Sequence, residues 1–223
     1  MKRFTAFVLF LTLALFITAT AFAQNITNYG FTATGGTFTP TVGGTPVSTT
    51  VSAADFLGDT KTSIPIPIGF TFYYMGIPYT QVVAMSDGYL SFNLAATSSL
   101  TNNLTSSATT QRPLLAPLWD DLDGASGAGA ANYITTGTPG SQIFTIEWIN
   151  WQWNYAATGN TISFQVILHE GTGAIDFVYR PEGGTVNSAS ASIGIAGIPT
   201  GTGTFLSLNG TGVSPTVSST TET

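Results

Sequence analysis

The chain has 223 residues, of which 43% are hydrophobic, 12% aromatic and only 7% charged, and it has no cysteine. Thiol catalysis, thiolate metal sites and disulfide staples are therefore excluded at the outset. Beyond residue 23, three basic side chains (Lys61, Arg112, Arg180) stand against eleven acidic ones, a net charge of −8 that offers no cation cluster for phosphate and argues against nucleic acid or anionic membranes as partners.

The first predicted element is a leader. Lys2 and Arg3 form a basic n-region, residues 6–17 an apolar h-region, and Ala21-Phe22-Ala23 an A-x-A cleavage site. The run is too short and too weakly flanked for a membrane anchor. Residues 1–23 are thus expected to be a helical Sec-type signal peptide. The remainder is expected to be secreted or displayed at the cell surface, with no membrane insertion after cleavage. Residues 24–212 suit one large all-β domain, long enough to bury a core without disulfides.

Residues 25–60 are rich in Thr, Gly and Ser, and the spacing of Tyr29, Phe31 and Phe38 suggests short edge strands with turns at Gly35-Gly36 and Gly43-Gly44. A sharper pattern follows: Ile64, Ile66, Ile68, Phe70, Phe72 and Tyr74 occupy six successive even positions, the alternation of a half-buried strand. Pro65 and Pro67 cannot donate to a ladder, which puts its first half at a sheet edge or on a bulge. Residues 81–93 read as a hairpin turning at Asp87-Gly88, a pair suited to the positive φ angles of a type I′ turn.

Residues 95–111 form a polar loop, 114–118 a short buried strand ending at Trp119, and 123–132 a small-residue loop. Phe144, Ile146 and Trp148 share one face of the next strand. Ile162, Phe164, Val166 and Leu168 pair across Gly171-Thr172-Gly173 with Ile175, Phe177 and Tyr179 in a second hairpin. Strands at 191–196 and 205–208 close the domain, and residues 213–223 read as a Ser/Thr-rich linker or tail, with further modules expected downstream. No helical periodicity is evident outside the leader. The expected fold is an all-β, antiparallel β-sandwich, jelly-roll-like, with ten or so strands.

Two of these segments carry a family likeness. The run LLAPLWDDLDG after Gly88-Tyr89-Leu90-Ser91-Phe92 resembles the "aPfWaDvD" signature of nidogen-like extracellular domains, and FQVILHEGTGAIDFVY is similar to a later hairpin of that family. With EWINWQW, the set also looks like N-terminal modules of large secreted proteins of gliding-type bacteria, which often carry fibronectin type III repeats downstream. The resemblance covers residues 60–197. It implies an extracellular adhesive or scaffolding role; together with the export signal and the scarcity of reactive side chains, the expectation is a secreted or cell-surface, non-catalytic module with a structural or adhesive role and an extracellular protein or glycan as partner.

Three constellations carry candidate chemistry. Asp120, Asp121 and Asp123 before Gly124 offer the hard oxygen ligands Ca²⁺ prefers, although no acidic residue follows at EF-hand spacing. The competing reading is a strand-end turn in which one Asp caps backbone N–H groups and another pairs with Arg112 or Arg180. Apart from this candidate Ca²⁺, no cofactor is expected. Trp151, Trp153 and Tyr155 are candidate stacking platforms for a carbohydrate, the first two because their parity is opposite to that of Trp148; burial under a loop or a second sheet is the alternative.

A glycoside hydrolase is the remote alternative. It needs two carboxylates facing one another, and Glu147, Glu170 and Asp176 show no such spacing on one strand. His169, the one histidine, cannot build a multi-histidine zinc site and is expected to face solvent at a strand end. No catalytic residue is assigned.

Overall fold

The computed structural model describes residues 24–106, 109–125, 128–210 and 214–222. The predicted signal peptide, residues 1–23, lies outside the described residues. Among the described residues no helix is long and apolar enough to cross a membrane.

The chain order is β1 (Thr45–Pro46), α1 (Ala53–Phe56), β2 (Ile66–Tyr74), β3 (Ile77–Met85), β4 (Tyr89–Ser91), β5 (Leu114–Trp119), β6 (Ala130–Thr136), β7 (Ile143–Trp151), β8 (Ile162–His169), β9 (Ile175–Pro181), β10 (Ser192–Ala196), β11 (Phe205–Asn209) and β12 (Thr216–Ser218). A five-stranded sheet, β1-β6-β7-β8-β9, faces a seven-stranded sheet, β12-β11-β10-β5-β4-β3-β2. Every strand pair is antiparallel, so the architecture is the expected β-sandwich.

Alternation builds the layer between the sheets. Along β2 burial follows the even positions without exception, from Ile66 to Tyr74. Opposite them lie Phe144, Ile146 and Trp148 of β7 and Phe164, Val166 and Leu168 of β8, all fully buried. Trp148 stacks on Phe164 with centroids 4.9 Å apart. Its indole N–H crosses to the other sheet and donates to the Met85 carbonyl at 3.3 Å. Each such side chain contributes roughly 1.5–3 kcal/mol by leaving water. As the prolines required, β2 is the edge strand, and its register against β3 shifts between Pro67 and Phe72.

The outer sheet faces are not left bare. On the seven-stranded sheet, the opposite-parity residues Val83, Met85, Tyr89, Leu114 and Ala116 join Trp119, Phe205, Ala96 and Leu104 in a second apolar cluster. Ala96 and Leu104 come from the long loop after β4, which therefore covers that sheet. Arg112 anchors this cover: its buried guanidinium donates to the carbonyls of Leu104, Gly197, Pro199 and Thr204. On the five-stranded sheet, the chain before β1 forms a strap. Thr41 donates from N and Oγ1 to the Glu147 carboxylate at 3.0 and 2.5 Å, Gln165 donates to the Thr39 carbonyl, and the Arg180 guanidinium lies 4.7 Å from the Phe38 ring centroid.

Several local expectations differ from what forms. The Asp87-Gly88 hairpin pairs Met85 with Tyr89, leaving a three-residue loop in which Gly88, at φ 81°, takes the left-handed conformation but Asp87 does not, so the turn is not type I′. The N-terminal region yields a 3₁₀ turn at Ile26–Asn28, the two-residue β1 and the short α1 in place of several edge strands. A capping signal for α1 stood in the sequence, since Ser52 accepts from the Asp55 N–H three residues on. β6 begins at Ala130, inside the segment read as a loop. The segment read as a linker supplies β12, which pairs with β11. Glu222 beyond it accepts from the Leu104 and Thr105 N–H groups and from the Thr105 and Ser192 hydroxyls, tying that end to the covering loop.

Candidate functional site

The aromatic candidates separate. Trp148 pairs with Phe164 and Trp151 with Ile162, and the register slips between them. Asn150 takes φ 55° there. This bulge inserts one residue, so Trp151 returns to the inward face and is fully buried, with its N–H donating to the Ala130 carbonyl at 2.9 Å. A period-two count cannot foresee that reversal. Trp151 therefore presents no ring to solvent. Trp153 is half-buried against the core, and its N–H is held by Asp120 Oδ2 at 2.8 Å. Tyr155, 62% exposed, alone of the three shows an open ring. The three residues do not form a stacking platform.

The acidic candidates separate as well. Asp120 is buried and saturated. Its Oδ1 accepts from the Asp121 N–H and the Ser190 hydroxyl, and its Oδ2 from the Trp153 indole and the Ser190 N–H, at 2.8–3.0 Å. It joins the β5 exit to the β7–β8 and β9–β10 connections. Asp123 Oδ1 accepts from the Ala125 N–H, a local turn brace. Asp121 is oriented differently: one of its oxygens lies with one each from Asp59 and Asp87, all within 4.8 Å of one another. The expected contiguous trio is thus replaced by a set drawn from three segments. Neither predicted arginine partner is used in the way expected, because Arg180 pairs with Glu182 at 2.6 Å and Arg112 serves carbonyls.

Asp87 is the unusual member. It sits on the β3–β4 turn, fully buried. Its Oδ2 accepts the Ser98 hydroxyl at 2.5 Å, while Oδ1 is buried with no hydrogen-bond partner. Burial pushes its carboxyl from 3.8 up to about 7, with the charges of Asp59, Asp121 and Asp120 adding to the effect and the Ser98 bond opposing it. Asp121 is raised for the same reasons, burial first and then Asp59, Asp120 and Asp123.

A carboxyl raised on folding favours the folded state while it is protonated, so its contribution is complete below about pH 4 and is lost as pH rises toward 7. With divalent cations chelated, the Asp87→Asn protein is therefore expected to gain stability relative to wild type as pH climbs from about 4 to 8. Paired urea titrations across that range read the difference, and parallel pH profiles would refute it.

The other acids serve the fold. Glu147 accepts from Thr41 and Gln165, Glu170 from the Gly140 and Gln142 N–H groups, and Glu182 from Ser163 and Arg180. His169 meets solvent at its strand end, as expected, and lies 2.8 Å from Asp176. Two surface depressions of about 270 and 290 Å³ adjoin Gln24; Glu170 lines the first, and no carboxylate lines the second.

No curated protein and no solved structure matches the chain. A family model described as "NIDO related" matches residues 28–223, from the first 3₁₀ turn through both sheets and the last strand. The W-D-D-L-D-G run, the strand before it and the later hairpin that suggested the likeness lie within that match, and the chain belongs to the nidogen-related family.

Proposed function

We propose that this domain is a non-catalytic extracellular module with a structural or adhesive role, binding an extracellular protein or glycan. Membership of the nidogen-related family supports the extracellular setting. The observation that carries the non-catalytic reading is the fate of the glutamates. All four bind backbone or side-chain groups of their own fold: Glu147 under the strap, Glu170 and Glu182 at the hairpin ends, Glu222 beneath the covering loop. A hydrolase needs two acids free to face a substrate, and no glutamate of this chain is free to be one of them. Here the outer faces of the sheets are covered by the domain's own loop and strap, which leaves rims and edge strands for contact with a partner.

The test is a surface-binding assay. Immobilised domain is exposed to extracellular matrix, to cells of the producing organism and to oligosaccharide panels, with product release followed in parallel. Saturable binding without turnover is expected. Absence of affinity for every one of these surfaces would overturn the adhesive role, and release of sugar would overturn the non-catalytic one.

A further inference from the structure

The acids Asp59, Asp87 and Asp121 come from three separate places: the loop after α1, the β3–β4 turn and the exit of β5. Backbone contacts hold these places together. The Asp120 N–H donates to the Asp87 carbonyl at 3.1 Å, Thr62 bridges to Met85, and the Gly124 N–H donates to the Leu57 carbonyl at 2.9 Å. The three segments that carry these carboxylates are therefore held side by side by main chain.

Three like charges drawn together in this way repel, and more strongly where one is out of water. Among the described residues, the charged groups acting on Asp87 and on Asp121 are all acids. Lys61, the nearest basic residue in sequence, pairs instead with Asp55 at 3.1 Å. Burying a carboxylate oxygen without a partner is costly, and Asp87 Oδ1 is such an oxygen.

We infer that Asp59, Asp87 and Asp121 form a binding site for a divalent cation, with Ca²⁺ as the ion it takes. The donor set is oxygen throughout, with no nitrogen or sulfur, which selects a hard ion over zinc or copper. Ca²⁺ accepts irregular shells of six to eight oxygens, and the exposed Asp59 side leaves room for water to complete one. Mg²⁺ requires near-ideal octahedral geometry and keeps most of its own water, so three converging carboxylates suit it less well. The open, three-carboxylate site places affinity in the weak range of extracellular calcium modules, with Kd on the order of 10⁻⁴–10⁻³ M. Asp120 and Asp123 lie outside the converging set: both Asp120 oxygens hold two donors each, and Asp123 Oδ1 braces its own turn through the Ala125 N–H. The ion would join the α1 loop to the turn and to the strand exit, stiffening one end of the sandwich.

The experiment uses the purified chain after chelator treatment, titrated with CaCl₂ by calorimetry and by thermal unfolding. MgCl₂ and NaCl at matched ionic strength are the comparison arms, and circular dichroism confirms that each variant is folded. At about 10 mM Ca²⁺ the folded-to-unfolded ratio is expected to rise roughly 10- to 100-fold. Asp121→Asn and Asp59→Asn are expected to abolish the binding heat, and Asp123→Asn to leave it intact. No heat with wild type up to about 10 mM, an equal response to NaCl, or loss in Asp123→Asn matching that in Asp121→Asn would overturn the site. Because the readout needs no partner, its failure is distinguishable from failure of the adhesive role.

Discussion

Replacing Gly88 by alanine is expected to destabilise the domain by about 2–5 kcal/mol, a large share of the roughly 5–15 kcal/mol typical of a folded domain. Two costs combine. Gly88 sits at φ 81°, where a side chain adds roughly 1–2 kcal/mol. A Cβ there would also lie 2.0 Å from the Leu118 carbonyl oxygen and 2.6 Å from Leu122 Cδ1. The carbonyl is backbone of β5, so relief requires the β3–β4 turn to back away from the strand it packs on, with an overpacking cost of about 1–3 kcal/mol. Gly173, at φ 68° with nothing within 4 Å of the place a Cβ would take, isolates the first cost. Gly173→Ala should therefore lose only about 1 kcal/mol. Urea midpoints of the two variants give the comparison, and equal losses would show that the close approach to Leu118 does not matter.

Asp120→Ala is expected to cost about 3 kcal/mol or more, whereas Asp121→Asn, next to it, should leave chelated protein unchanged or more stable. Removing the Asp120 carboxylate strands the Trp153 indole N–H and the Ser190 and Asp121 N–H groups, each held by a charge-assisted bond worth roughly 1.5–3 kcal/mol. Asp121 by contrast contributes repulsion toward Asp59 and Asp87, which the amide removes. Intrinsic Trp153 fluorescence should also shift to the red in Asp120→Ala as the ring loses its anchor. Similar stability for the two variants would mean that the hydrogen bonds to Asp120 contribute nothing net.

The alternation of β2 was legible in the sequence because a half-buried strand must repeat every two residues, and the β8–β9 hairpin because two apolar runs flank a Gly-Thr-Gly turn. The prolines located the edge for an equally local reason, a missing donor. Trp151 was not legible. Its direction depends on a bulge at Asn150, and nothing in a period-two pattern marks where one extra residue will be accommodated. The acidic site shows the same limit in three dimensions. Asp120, Asp121 and Asp123 are neighbours in sequence, yet strand geometry sends them to three different environments, and Asp121 finds its companions 62 and 34 residues upstream, at Asp59 and Asp87.

By itself, then, the order of residues determined the all-β class, the principal hairpins, the core of β2, β7 and β8, and the family likeness, because each follows from a local period, a turn residue or a short motif. Which faces are covered, which tryptophans point inward and which carboxylates meet were decided by tertiary structure. Those outcomes depend on strand register, on a strap and a loop folding back over the sheets, and on backbone contacts between segments far apart in the chain, and none of these has a local signature.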